Sequence, residues 1–436
     1  MAAPGGDRTS GSTLGLVLGP GLYRRALISL FLGGLGLSVA IPQLSLFLVQ
    51  DLGASLQVAG LFFLTNLAAP VFGYLVGRWS ERLTDRLTLF RLGAVAGLLG
   101  WVGMALADQV WLAFLVNLTV IGFAAATSSL IFAAVRDRLT RDPTGADNRV
   151  MSTVRLGFSL GFMTGPLLGS VLGGALGLRW TLAASGVFCL LQAAPMLGQR
   201  VERVAATPRG ERTDGATGRR TSAAPTLGPL VTFLALGVLA MCGDTIRLAY
   251  LPIYMEVELG SPDWLRGVVI STQSAAMLVF IPIMGVLADR FGAYRLVVAT
   301  AVLGVGANLG YVVADSELVL IAATVLNAAM WAALGGIGIT AAQDLYPHGV
   351  GMASSLYFSA VRVSAAVGGV AGSLGVGALG VPGVFLIPAG LGVLSTVGLV
   401  TQAVVLARRA APHPRRRHRG RRDDRPPPDP SPEDPT

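Results

Sequence analysis

Runs of about 20 apolar residues recur along this 436-residue chain, and they limit its possible folds more than any other feature. A helix of that length spans the hydrocarbon core of a bilayer, whereas an open strand there would leave backbone groups without hydrogen-bond partners. Twelve such runs occur, at 26–50, 56–77, 89–107, 110–135, 150–174, 179–198, 228–254, 265–288, 296–314, 317–342, 351–378 and 382–407. The pattern predicts an all-α membrane protein with twelve transmembrane helices.

The composition excludes a water-soluble globule. Apolar residues make up 53% of the chain, charged residues only 13%, and the mean hydropathy is +0.65. An average soluble domain carries roughly a quarter charged residues. The 57 glycines suit close packing of helices in lipid.

The arginines give the expected orientation in the membrane. The chain contains no Lys, and 28 of its 33 arginines fall in segments that are cytoplasmic if both termini are inside. Arg179 and Arg266 fall on the opposite side, and three others lie within spans. Because cytoplasmic loops carry an excess of basic residues, we expect a multi-pass protein with both termini in the cytoplasm.

Polar segments divide the chain into five parts. We expect a cytoplasmic N-terminal segment, a first six-helix bundle, a flexible Arg-rich cytoplasmic linker, a second six-helix bundle and a disordered cytoplasmic tail. Their predicted bounds are 1–25, 26–198, 199–227, 228–407 and 408–436. The first residues lack the pattern of a cleavable signal peptide.

The two bundles repeat each other at an offset of 207 residues. Matched pairs include Gly60 with Gly267, Thr65-Asn66 with Thr272-Gln273, Asp137 with Asp344, Arg155 with Arg362, Gly161 with Gly368 and Gly165 with Gly372. A duplicated unit of six helices places both copies in the same membrane orientation. Such parallel repeats give alternating access by rocking around a shared central site, so we expect two pseudo-symmetric bundles with the binding site between them.

Two charges lie in the middle of the seventh span. Asp244 and Arg247 are three residues apart, so they share a helix face and can pair. An ionisable group at bilayer depth costs about 2.5–3.5 kcal/mol and needs a partner or a water-filled cavity. Asp244 is either a protonatable coupling carboxylate balanced by Arg247 or half of a permanent structural ion pair.

Arg155 and Arg362 are related by the repeat and lie some distance in from the cytoplasmic ends of their spans. They bind substrate hydroxyls or an anionic group, or they join a cytoplasmic gate with Asp137, Asp344 or loop acids. The gate is the favoured hypothesis.

Amide and aromatic side chains within the spans are candidate sugar ligands. The set is Gln43, Asn66, Asn117, Gln273, Asn327, Tyr250, Tyr254, Trp331 and Tyr357. Asn66 and Gln273 are the leading candidates because they are symmetry mates. For each residue the alternative is a hydrogen bond between helices, worth about 0.6 kcal/mol.

The three His lie in predicted loops or the tail, so we expect no metal site and no cofactor.

A loop motif follows the eighth span. It contains Gly285, Asp289 and Arg290, and a degraded copy in the first half contains Glu81, with Arg136 as a possible partner at the end of the fourth span. A tight loop needs Gly, and its charges can latch neighbouring helix ends. This pattern resembles the loop signature of the major facilitator superfamily, which implies a twelve-helix transporter in two bundles.

A glycine stripe runs along the fifth span. Its residues are Gly157, Gly161, Gly165, Gly169 and Gly173, with Pro166 next to Gly165. Such a stripe allows close approach of another backbone, and Pro bends the helix. It resembles the Gly-Pro motif of the superfamily's exporters, although plain packing is the alternative.

Residues 36–375 look most like the bacterial sugar efflux transporters of that superfamily. The matching segments are Leu44–Leu48 before Asp51-Leu52-Gly53, Leu251-Pro252 before Glu258-Leu259-Gly260, Val154-Arg155 before Gly165-Pro166, and Gly336-Ile337-Gly338 before Gln343-Asp344-Leu345. Asp244, Arg247 and Arg362 depart from the sugar-efflux pattern and leave the substrate and the coupling open.

The leading hypothesis is therefore secondary active, proton-coupled efflux of a sugar or small polar solute. The resemblance implies a bacterial plasma membrane protein, a small-molecule substrate and a monomer without nucleic acid. A chain without Lys has no Walker-type nucleotide motif, and no catalytic constellation indicates an enzyme. The alternatives are a multidrug or antibiotic efflux antiporter and, more weakly, a non-transporting membrane sensor.

Overall fold

A computed structural model describes residues 21–83, 85–144, 147–199 and 227–410, and every element of these residues is a helix. The first bundle contains α1 Leu22–Asp51, α2 Leu56–Arg82, α3 Arg86–Ala105, α4 Val110–Arg141, α5 Asp147–Leu176 and α6 Leu178–Leu191. The second bundle contains α7 Gly228–Val257, α8 Asp263–Phe291, α9 Ala293–Val312, α10 Glu317–Leu345, α11 Val350–Gly383 and α12 Leu386–Ala410.

Among the described residues, eleven helices are long and apolar enough to cross a membrane. The sixth predicted span, 179–198, is the exception. Its helix α6 has 14 residues and is followed by the 3-10 turn Ala194–Met196, which contains Pro195. Proline lacks the N–H that a continuing helix requires, so α6 ends earlier than its apolar sequence predicts.

The described chain begins and ends at one end of the bundle, here called the terminus end. Arg91 near the start of α3 donates to the carbonyls of Met196 and Gln199 after α6. Gln402 near the end of α12 donates to the carbonyl of Pro229 at the start of α7. The opposite end, here called the far end, carries the loops after α1, α3, α5, α7, α9 and α11.

The predicted linker and tail fall almost entirely on residues 200–226 and 411–436, and most of the predicted N-terminal segment falls on residues 1–20. All three stretches lie outside the described residues. The predicted domain boundaries therefore stay predictions.

The glycine stripe of α5 packs inside the first bundle, against α1. A Cβ added at Gly157, Gly161 or Gly169 would collide with the backbone carbonyl of Leu27, Phe31 or Val39. The approach is mutual, since a Cβ on Gly34 of α1 would lie 2.9 Å from the backbone nitrogen of Phe162. The stripe thus brings two backbones into direct contact, which is the packing role considered for it.

Between the bundles, matching glycines make the contacts near the far end. A Cβ on Gly60 of α2 would lie 3.1 Å from the backbone nitrogen of Ser373 on α11. A Cβ on Gly267 of α8 would lie 2.9 Å from the carbonyl oxygen of Pro166 on α5. Gly60 and Gly267 are repeat mates, and so are Pro166 and Ser373. The two bundles therefore meet through one contact used twice.

Polar groups reinforce this contact between the bundles. The Gln50 amide on α1 donates to the Glu256 carboxylate on α7 at 2.9 Å, and the Tyr250 hydroxyl on α7 donates to the Leu56 carbonyl on α2 at 3.1 Å. Arg266, 4% exposed, pairs with Glu256 and with Asp263. These bonds all lie at the far end, so in this conformation the bundles are closed together there.

The α1–α5 contact generates a stability prediction. We expect Gly161→Ala to destabilise the protein by about 1–3 kcal/mol, because the added methyl meets the fixed carbonyl of Phe31. Helix propensity alone would make the alanine variant more stable by about 1 kcal/mol. A loss of stability would therefore show that the steric contact outweighs helix propensity. Thermal unfolding in detergent measures the effect. Gly390→Ala on α12, where no atom lies within 4 Å of the added methyl, is the control and should not lower the midpoint.

Candidate functional site

Three helices of the second bundle bring a charged and amide cluster together halfway through the bundle. Arg247, Gln273 and Asn327 each lie ten residues from the far ends of α7, α8 and α10, at Val257, Asp263 and Glu317. At 1.5 Å per residue this is a depth of about 15 Å. The three side chains are therefore level with one another, near the centre of a hydrocarbon core about 30 Å thick.

The carboxylate of Asp244 is the centre of this cluster. It accepts hydrogen bonds from Nε and Nη2 of Arg247 at 3.3 and 3.0 Å, and from Nε2 of Gln273 at 3.1 Å. The Asn327 amide in turn donates to Oε1 of Gln273 at 3.2 Å. A chain of hydrogen bonds thus joins α7, α8 and α10, and the predicted Asp244–Arg247 pair is present.

Burial differs sharply between the two charged partners. The Arg247 side chain is 4% exposed and the Asp244 side chain is 22% exposed. The carboxylate is therefore accessible, while the guanidinium stands behind it. A buried cation needs a counter-charge, so Asp244 stabilises Arg247 and still presents an open face.

Two donors beside this cluster are left without acceptors. Nη1 of Arg247 and the indole N–H of Trp331 are buried and have no hydrogen-bond partner among the described residues. Trp331 lies one helical turn after Asn327 on α10, immediately before the π-helical turn Ala333–Ile337. Leaving a buried donor unpaired costs about 1–3 kcal/mol, which a ligand with hydroxyl or carboxylate oxygens could offset.

The first bundle contributes a smaller polar pair at an irregular part of its helices. The Asn117 amide donates to the Thr65 hydroxyl at 2.6 Å. Thr65 lies in the 3-10 stretch Phe62–Leu67 of α2, and Asn117 begins the π-helical turn Asn117–Ile121 of α4. Such irregular turns are frequent at functional sites. Asn66, the repeat mate of Gln273, is half-buried in the same stretch.

Four of the predicted sugar ligands make hydrogen bonds that pack helices together, although Oε1 of Gln43 is buried without a partner among the described residues. Gln43 is fully buried and donates to the Gly169 carbonyl of α5 at 3.1 Å. The hydroxyls of Tyr254 and Tyr357 donate to the carbonyls of Ala314 and Leu334, and that of Tyr250 donates across the bundles to Leu56. The candidates that lie together at mid-depth in the second bundle are Gln273, Asn327 and Trp331.

The predicted gate residues sit at the terminus end and face solvent or membrane. The exposed set is Glu81, Arg136, Arg155, Asp289, Arg290, Asp344 and Arg362. Arg290 stacks on the Phe291 ring at 5.3 Å. Within the described part of the chain no ion pair joins Arg136 to Glu81, and both side chains are exposed.

One charge near these residues is fixed by local hydrogen bonds. Asp147, at the start of α5, accepts from the backbone N–H and the hydroxyl of Thr144 at 2.8 and 2.7 Å. These bonds hold the pKa of the Asp147 carboxyl below its ordinary value. The residue therefore stays ionised at neutral pH and stabilises the helix N-terminus.

The far-end network of Gln50, Glu256 and Arg266 was missed by sequence reasoning. Arg266 was noted only as one of two arginines on the outer side. The sequence does show that Arg266 follows Asp263 by three residues on α8. That spacing indicates a local ion pair. It does not reveal that Glu256 joins the pair or that Gln50 of α1 bonds to Glu256.

Comparisons with known proteins give a consistent family. The family model of the Major Facilitator Superfamily matches residues 26–268 and 232–432. The chain is 25% identical to a sugar efflux transporter A of Dickeya chrysanthemi, over 79% of this chain and 86% of that protein. It is 26% identical to a putative sugar efflux transporter of Deinococcus radiodurans, over 84% of this chain and 93% of that protein.

A solved structure supports the fold. The structure of the nucleoside transporter NupG matches with a TM-score of 0.72 at 14% identity, over 88% of this chain and 99% of that one. At this identity the likeness shows the fold alone. The two-bundle architecture predicted from the repeat is confirmed.

The dependence of Arg247 on Asp244 generates a second stability prediction. We expect Asp244→Asn to destabilise the protein by about 1–3 kcal/mol, because the buried guanidinium loses its counter-charge. Adding Arg247→Met should recover most of this loss, since the buried charge is then gone as well. Thermal unfolding of the single and double variants measures both effects.

Asp315→Asn, in the exposed loop between α9 and α10, is the matched control for loss of one carboxylate. Equal midpoints for Asp244→Asn and Asp315→Asn would show that Arg247 does not depend on Asp244.

Proposed function

Because the chain belongs to the Major Facilitator Superfamily and is therefore a secondary transporter, we propose that it exports a sugar or a similar small polar solute in exchange for protons, by alternating access. The observation that carries the proposal is the half-open Asp244 carboxylate at mid-depth. It lies among the donors of Arg247 and Gln273 and can be reached by both a proton and a substrate.

Competition for this carboxylate provides the coupling. In its charged form Asp244 can accept a hydrogen bond from a substrate hydroxyl, while the free N–H of Arg247 donates to another substrate oxygen. A proton on Asp244 removes its negative charge and turns one of its acceptor oxygens into a donor, which weakens the binding of the substrate hydroxyl and of Arg247. Substrate and proton therefore exclude one another at the same oxygen atoms, which is the requirement for antiport.

The chemistry of the cluster favours a sugar. Each sugar hydroxyl is both a donor and an acceptor, and amides offer both functions in one plane. Gln273 and Asn327 provide such amides, and Trp331 provides an aromatic face with an unpaired N–H. The names of the relatives in Dickeya and Deinococcus agree with this substrate class.

The closed far end agrees with the proposed direction of transport. The bundles meet through Gly60, Gly267 and the Gln50–Glu256 bond at the far end, so the mid-depth site is approached from the terminus end. With the orientation that the arginines predict, that end faces the cytoplasm. The conformation is then the one that loads a solute for export.

Drug efflux remains the second candidate because of an aromatic cluster in the first bundle. The Phe72 and Trp79 rings of α2 lie 6.5 and 6.4 Å from the Phe123 ring of α4. Aromatic faces bind planar amphipathic compounds. The same experiment separates the two substrate classes.

Proton coupling is tested in inverted membrane vesicles with labelled sugars and cationic dyes, with and without a protonophore. We expect protonophore-sensitive sugar uptake by the wild type and none by Asp244→Asn. Because this variant is also less stable, sugar counterflow without a proton gradient is measured in parallel. Counterflow should persist at a higher KM, since the Asn amide keeps one acceptor oxygen for the substrate and exchange requires no proton transfer.

The outcomes separate the parts of the proposal. Gradient-driven uptake that survives in Asp244→Asn would remove the coupling role of this residue. Dye uptake without sugar uptake would replace sugar efflux by drug efflux. Asp315→Asn serves as the control and should behave as the wild type.

Alternating access is tested at the glycine contact. We expect Gly267→Ala to hold the far end apart, because the added methyl meets the backbone of Pro166 and Leu167 on α5. Cysteines placed near Gln50 and Glu256 should then react faster with a bulky impermeant thiol reagent from the far side. Gly73→Ala on α2, where the methyl meets open space, is the control. Unchanged labelling in Gly267→Ala would exclude this contact as the far gate.

A further inference from the structure

Two arginines related by the repeat lie on the faces of α5 and α11 that are directed toward the opposite bundle. Arg155 precedes Pro166 by 11 residues, and Arg362 precedes Ser373 by 11 residues. Eleven residues are about three helical turns, so each arginine shares a helix face with the later residue. Pro166 and Ser373 are the residues that touch the other bundle, at Gly267 and Gly60.

The arginines lie on the open side of these contacts. They are displaced from Pro166 and Ser373 by about 16 Å toward the terminus end, at 1.5 Å per residue. Both side chains are exposed, whereas Pro166 and Ser373 are packed against glycine backbones. Arg155 and Arg362 therefore border the approach to the Asp244 cluster.

Neither arginine is neutralised within the described residues, where neither has an ion pair or a side-chain hydrogen bond. Eleven residues, about three turns, along the opposing helices from Gly267 and Gly60, the residues are apolar, namely the half-buried Leu278 of α8 and Val71 of α2, which is 58% exposed. The two residues at this level thus supply no carboxylate. The charge of Asp244 is already balanced by Arg247, so the central cluster does not neutralise Arg155 and Arg362.

Such an approach selects anions. Positive charge in a cleft with low-dielectric walls concentrates negative ligands, and the guanidinium fork binds a carboxylate or phosphate through two parallel hydrogen bonds. A neutral sugar needs neither property. Two arginines without a counter-charge in the path of the substrate therefore indicate that the substrate is negatively charged.

We propose that the preferred substrate is an anionic sugar derivative, a sugar acid or a sugar phosphate, whose charged group binds Arg155 and Arg362 while its hydroxyls bind the Asp244 cluster. This inference rests on the proposed sugar export. It differs from a gate in which the two arginines pair with Asp137 and Asp344 in another conformation, because a gate acts on every substrate equally.

The test uses purified protein in liposomes and four labelled substrates of similar size, which are two neutral sugars, a uronate and a hexose phosphate. Variants are Arg155→Gln, Arg362→Gln and their lysine counterparts. We expect the KM for the preferred anionic substrate to rise about tenfold in each glutamine variant, the loss of one charge-assisted pair. Neutral sugars should change by less than about twofold, and lysine should restore part of the affinity.

Arg138→Gln, an exposed arginine of α4 that pairs with Asp142, is the matched control and should leave every KM unchanged. Preference for the uronate or the phosphate identifies the anionic group, and either supports the inference. Equal losses for neutral and anionic substrates assign the arginines to the gate and overturn it. Transport of neutral sugars without the anionic ones overturns this inference alone, whereas transport of none of the four overturns sugar export itself.

Discussion

Close contact between glycine backbones is the interaction on which the rest of this structure depends. Lipid is as apolar as the side chains, so helices in a bilayer gain little by burying hydrophobic surface and associate through tight packing and polar bonds. Within the first bundle the stripe from Gly157 to Gly173 follows α1 over four helical turns and makes one rigid unit. Between the bundles the same device recurs at Gly60, Gly267 and Gly369. The stripe in the first bundle places five glycines against one helix, whereas the contact between the bundles is divided between two helix pairs, α2 with α11 and α5 with α8.

The repeat builds a symmetric scaffold, but the chemistry is placed in one half. The counterparts of Asp244 and Arg247 in the first bundle, 207 residues earlier, are Leu37 and Ala40. Only the amide position is kept, as Asn66 and Gln273. In the proposed mechanism this single carboxylate binds one proton per cycle, and a second embedded acid would require its own counter-charge at a cost of several kcal/mol. Placing the embedded charges in one bundle of a pseudo-symmetric pair thus costs less free energy in lipid than placing them in both.

Much of this architecture could be predicted from the sequence because lipid restricts the choices. Apolar runs, arginine asymmetry and the repeat gave the helices and the two bundles, and a spacing of three residues gave the Asp244–Arg247 pair. The sequence could not separate Gln273, which bonds to Asp244, from Gln43, whose amide packs α1 on α5. Both are amides at similar depth, and the difference is the acceptor that lies nearby, a carboxylate for Gln273 and a backbone carbonyl for Gln43. The short α6 was missed for a related reason, since hydropathy does not detect the turn at Pro195.

The proposed proton site, Asp244, and the far-end contact are linked through one turn of α7. Tyr250 follows Arg247 by three residues on the same helix face, and its hydroxyl bonds to the Leu56 carbonyl of the other bundle. A neutral bond of this type contributes about 1 kcal/mol, and a charged one such as Gln50–Glu256 about 1.5–3 kcal/mol. Reversing a two-state equilibrium from 1:99 to 99:1 takes about 5.5 kcal/mol. The two hydrogen bonds across the far end, taken together with the glycine contacts, contribute a free energy of about this size. A change of charge at Asp244 that moves Arg247 therefore acts on a contact that is weak enough to be broken.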